Sequence, residues 1–329
     1  MSQLQIRAEI ARLARLLGDD GGDFGYLATI DVQALRQLRE RATAMLYDAD
    51  REYLQRIAAA TRLVPGAITA LIAEKSLGPL LCARIAGLLP VDTAVDIARR
   101  LPDDFLADVC IELDPRRARP VVEAIPVPRV VSVSLELARR GEHVTMGRFV
   151  DILSLDALAA TMQRITDDAA LLKVAFYAED RARLNRVIDQ LPPARFGGII
   201  AAAIADDGAL WPEALSLIAA LEPRWRRAFG ELALKQETAS VARIIAITDA
   251  QQLWPSLLPV VDCIDDAQAL HNLHAVLAAL DPGLLAAVKA LIRPGGGEAT
   301  FARLAGFAWP EALRPVFAGD APRRRRARR

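Results

Sequence analysis

A leucine and a proline return together every dozen residues in the first half of the chain, and this spacing restricts the fold more than any other feature. Leu89, Leu101, Leu113 and Ile125 lie 12 residues apart. They open the phrases Leu-Pro-Val-Asp (89–92), Leu-Pro-Asp-Asp (101–104), Leu-Asp-Pro-Arg (113–116) and Ile-Pro-Val-Pro (125–128). Each of the first three precedes an apolar run at helical spacing: Ala94, Ile97, Ala98; then Phe105, Leu106, Val109; then Ala118, Val121, Val122. Proline fits the first turn of a helix, where its missing N–H has no partner to lose. In a helix interior it costs about 3 kcal/mol. A proline every dozen residues therefore marks repeated helix starts, each helix two or three turns long. Helices that short do not persist alone, so they must stack on neighbours.

The phrase returns as Leu191-Pro192-Pro193, Leu221-Glu222-Pro223 and Leu280-Asp281-Pro282. A second landmark, Trp-Pro, stands at 211–212, 254–255 and 309–310, and two of the three extend to the same five residues, Trp-Pro-Glu-Ala-Leu. The intervals of 43 and 55 residues match two-helix or three-helix units. No stretch sustains strand alternation. Val130 to Leu137 comes nearest, and its surroundings favour a helix. The expected class is all-α, an α-solenoid of short helical repeats over residues 65–318. An N-terminal helical segment precedes it (1–64), and an Arg-rich tail with no means of burying itself follows (319–329).

Within the N-terminal segment, residues 3–18 predict one amphipathic helix ending at Gly18. A longer helical region is predicted from Asp31, a capping residue, to about Leu63, with Leu35, Leu38, Ala42, Leu46, Leu54 and Ile57 inward. Arg39, Glu40, Asp48 and Arg51 are expected on its wet faces.

The Leu-Pro-x-x-x-Ala-x-x-Ile phrasing at 89–97, with looser relatives at 101–109 and 113–122, resembles the N-terminal superhelical domain of MgtE-type magnesium transporters. The resemblance spans residues 80–230 and implies an array of short helices. Transport by that family also needs a regulatory and a membrane domain, for which this chain is expected to have no room. The longest weakly polar stretch is read as Phe196 to Ala205, short of the about 20 residues a spanning helix needs.

Composition narrows the functional classes. The chain has 41 basic and 41 acidic residues, but six of the arginines lie in 323–329. Residues 1–322 thus carry 35 basic against 41 acidic side chains, a net charge of −6, which argues against a broad nucleic-acid face. Only four of the basic residues are lysines, a bias read as compositional habit. Cys82, Cys110 and Cys263 sit apart among apolar neighbours, as reduced thiols of a cytoplasmic protein would. Neither a phosphate-binding glycine loop nor a nucleophile elbow is present, no cofactor is implied, and three histidines leave little room for acid–base chemistry.

Four groups of residues invite a chemical reading. Asp92, Asp103, Asp104 and Asp114 either hold a cation or complement helix N-termini, and their recurrence with the repeat favours the second. His271 and His274, three apart, lack the further ligands of a zinc site. Gly197-Gly198 reads as a close helix contact. Arg224, Trp225, Arg226 and Arg227 form the densest basic-aromatic cluster in the body, able either to grip phosphates while the indole stacks or to line a solvated face around a core tryptophan. The expected function is a non-enzymatic helical-repeat scaffold that binds a protein. The alternative is a polyanion binder using Arg224–Arg227 and the tail, and an enzyme with a site between helices is a third class.

Overall fold

The computed structural model describes residues 2–19, 22–292 and 296–317. It is 76% helical, more than twice the ordinary share of about a third, and the described residues contain no β-strand. The fold class is all-α. Contacts divide the chain into two compact units, Met1–Leu191 and Pro192–Arg329. Pro65-Gly66, where the first helical segment was expected to end, is a helix start inside the first unit. The Arg-rich tail lies outside the described residues.

The first unit is built from alternate helices. Arg51–Ala60, Gly78–Ala86, Asp103–Glu112, Val127–Arg139, Leu155–Arg164 and Arg181–Ile188 each pack on the next in that order. Between them run Gly66–Ile72, Val91–Arg100 and Arg119–Ala124, which pack on one another in the same way. The recurring leucine is the reason. Leu101 and Leu113 follow the last turn of one helix in extended conformation, and each is buried before the next helix starts. Pro90, Pro102 and Pro126 occupy the N-cap positions, one residue earlier than the first turn. The Asp104 side chain accepts from the adjacent Phe105 N–H (2.8 Å), and Asp103 is paired with Arg129 and Ser132. True side-chain caps come instead from Asp31, Ser154, Asp167, Asp180, Asp266 and Asp281.

The third phrase departs from the pattern. Asp114-Pro115-Arg116-Arg117 is a turn, closed by hydrogen bonds from Arg117 and Ala118 N–H to the Asp114 carbonyl. The helix starts at Arg119, where Pro120 supplies the proline of its first turn.

Arginine has a structural use here that lysine would not serve. Arg129 donates to the carbonyls of Ala98 (3.0 Å) and Leu101, Arg148 to Leu113 (2.6 Å), and Arg183 to Val150 (2.8 Å) and Leu153. In the second unit Arg227 reaches Cys263 (3.0 Å), and Arg303 reaches Asp262 (3.2 Å) and Ile264. Each guanidinium lies across the C-terminal end of a helix distant in sequence and satisfies carbonyls that have no intrahelical partner. A planar fork reaches two such carbonyls at once, where an ammonium is a single point charge.

The N-terminal helices dock through a buried ion network. Ser2–Leu16 packs on Val32–Asp48 and on His143–Val150. Glu9, 1% exposed, accepts from Arg12 (2.8 Å), Arg36 (3.2 Å) and Arg39 (3.0 Å). Arg39 and Arg116 both bind Glu179, Arg12 donates to the Tyr177 carbonyl (2.9 Å), and Arg15 pairs with Glu142 (2.6 Å). Arg39 is therefore buried, not solvated, because two carboxylates face it. The close helix approach in this region is at Gly147, where a Cβ would stand 2.5 Å from Tyr177 Cβ. Gly197, expected to serve that purpose, has only ordinary room around it. The region expected to be helical from Asp31 to Leu63 is two helices, Val32–Asp48 and Arg51–Ala60, followed by a short 3-10 turn.

The second unit is organised by its tryptophans. Trp211 and Trp254 open helices Trp211–Ala220 and Trp254–Val261 with their rings buried, and the following prolines sit in the first turn. The identical five residues at 309–313 make a turn instead. There the Trp309 ring stacks on Phe317 with centroids 3.9 Å apart and donates to the Leu304 carbonyl (2.9 Å). In both copies the Trp and the Leu are buried, so the motif keeps its core role while its backbone differs.

Candidate functional site

The first helix of the second row, Gly66–Ile72, has an apolar face that the other described residues leave exposed. Its sequence, Gly-Ala-Ile-Thr-Ala-Leu-Ile, is apolar all round, and a helix of that kind is normally enclosed on every side. Thr69 and Ala70, with Ala73 beyond, face inward, the two alanines in a cluster with Ile97 and Leu101. Its principal packing neighbour is Val91–Arg100. On the other side Ile68 (50% exposed), Leu71 (56%) and Ile72 point outward, with Leu63 (87%) just before the helix and Leu80 after it. A repeat array normally ends in a unit with a polar outer face. Here five large aliphatic side chains stand in solvent.

Three features shape this end. Gly66 approaches Asp96 closely enough that a Cβ would overlap its carboxylate, so the helix start lies tight against Val91–Arg100. A π-helical turn over Ala73–Leu77 follows, and Gly78 then takes φ +75°, a value that side-chain-bearing residues rarely adopt. Leu81, Leu88 and Leu89 turn inward against Leu54, Ala58 and Ile85, leaving Leu80 outside.

By length and composition alone, Gly66–Ala86 is the one segment among the described residues able to cross a membrane. It is longer than Phe196 to Ala205 but, unlike that stretch, carries charge along its length. Its interruption at Gly78 and its charged Glu74, Lys75 and Arg84 are features of a segment packed on one side by protein.

The cluster at 224–227 lies at the start of helix Pro223–Leu234. Arg224 bonds Glu222 (2.9 Å) and lies over the Trp225 ring at 5.0 Å. Trp225 packs edge-on against Phe196, with centroids 5.6 Å apart. Arg227 pairs with Asp265 (2.8 Å) while holding the Cys263 carbonyl. Trp225 Nε1 and Arg226 Nε are buried without a hydrogen-bond partner among the described residues. The structure thus brings the four together in sequence order but commits Arg224 and Arg227 to the protein's own groups.

The histidines serve packing. His274 stacks on Phe307 at 4.9 Å, meets the Trp309 ring edge-on at 4.4 Å, and has its Nε2 3.1 Å from the Ala308 carbonyl. Among the described residues no group of three His, Cys, Asp or Glu side chains is arranged to hold a metal ion. The cysteines are free, and burial pushes the Cys82 thiol up to about 11 and the Cys110 thiol up to about 12, so both stay protonated and poorly nucleophilic near neutral pH.

Compared with known proteins, the chain matches no family model, no curated protein and no solved structure.

Proposed function

We propose that this chain is a non-enzymatic helical-repeat scaffold, its first unit an α-solenoid, that binds a protein partner through the apolar start of the array. The observation that carries the reading is the Gly66–Ile72 helix, apolar on all faces and covered on one. Ile68, Leu71 and Ile72 stand at i, i+3 and i+4, the spacing by which one helix anchors in the groove of another. Exposed apolar patches of this kind mark interaction sites more often than they persist in solvent. The alternate-helix packing and the resemblance of residues 80–230 to MgtE-type superhelical domains support the array, and neither supports magnesium transport. Three cysteines that form no disulfide fit a reducing, cytoplasmic setting.

The test is a double charge substitution, Ile68→Glu with Leu71→Glu, in the full chain. Both side chains are exposed, so the helical spectrum should be unchanged and stability should stay within about 0.5 kcal/mol. Proteins that copurify with the wild type should be lost from the variant, with at least a tenfold drop in affinity once one is isolated. An unchanged set of copurifying proteins would sink the proposal. Binding of the wild type, and not the variant, to lipid vesicles would reassign the face to a membrane surface.

A further inference from the structure

We draw no further inference here: the strongest candidate, the guanidinium groups of Arg12 and Arg181 brought together at the C-terminal end of helix Asp168–Phe176, leaves Arg12 Nε and Arg181 Nη1 without hydrogen-bond partners among the described residues, but both atoms are enclosed by protein and nothing in the structure shows a space beside them that would admit an anion.

Discussion

Replacing Glu9 with alanine is expected to destabilise the first unit by about 3–5 kcal/mol, which for a protein of ordinary stability is a large part of the total. Arg12, Arg36 and Arg39 all turn their guanidinium groups on this one carboxylate. Removing it leaves Arg12 and Arg39, both largely buried, with too few anionic partners and with water excluded. Glu9→Gln keeps the shape and should cost less, since an amide oxygen still accepts. Urea melts of the two variants check this, and a loss below about 1 kcal/mol for Glu9→Ala would show that the network is not what docks the N-terminal helices. The pH dependence has a definite sign. Burial raises the Glu179 carboxyl, but Arg39, Arg12 and Arg116 outweigh it and hold the group below its ordinary range. A carboxylate depressed on folding contributes stability that is present above its unfolded pKa of about 4.3 and lost as the pH falls through its folded value. The first unit should therefore weaken in acid, below about pH 4.

Little of this network was legible in the sequence. Glu9 and Arg39 look like ordinary polar positions of amphipathic helices, and both lie on stretches where charge alternates with leucine. Apart from Arg12, one turn from Glu9, their partners lie 27 to 140 residues away in the chain. Local periodicity carries no record of such separations. The repeat starts were legible because proline acts locally: its ring and missing N–H determine where a helix begins whatever surrounds it. Even there, Asp114-Pro115 shows the limit. The proline sits in a turn closed on the Asp114 carbonyl by the N–H groups of Arg117 and Ala118, and the helix waits for Pro120. The pentapeptide shared by 211–215 and 309–313 makes the same point, adopting a helix beside Thr248 and a turn beside Phe317.

The candidate sites divide in the same way. Arg224, Trp225, Arg226 and Arg227 stood out as a cluster, yet Arg227 belongs to the arginines that close distant helix ends, a role visible only when the carbonyl of Cys263 is placed beside it. The apolar face of Gly66–Ile72 did leave a signal. Seven residues with no polar side chain but Thr69, between Pro65 and a second apolar run, are more than one buried stripe requires. What the sequence does not contain is whether a second layer of the same chain covers the excess.

Leu101→Ala should cost about 2–5 kcal/mol, by loss of burial and by the cavity it leaves. The comparison that gives this figure its meaning is Leu63→Ala, the same chemical change 38 residues earlier. Leu63 is 87% exposed and Leu101 is 7% exposed, so the first substitution should fall within about 0.5 kcal/mol of neutral. Leu101 also joins the proposed docking face to the rest of the first unit, since it shares a cluster with Ala70 and Ala73 on the covered side of the exposed segment. Its truncation should loosen Gly66–Ile72 locally before the unit melts, which amide hydrogen exchange would report as faster exchange at Ala70 to Ile72. Leu63→Ala should leave that exchange unchanged while weakening binding of the proposed partner. A variant pair in which Leu63→Ala destabilises as much as Leu101→Ala would mean that this face is covered by something within the chain.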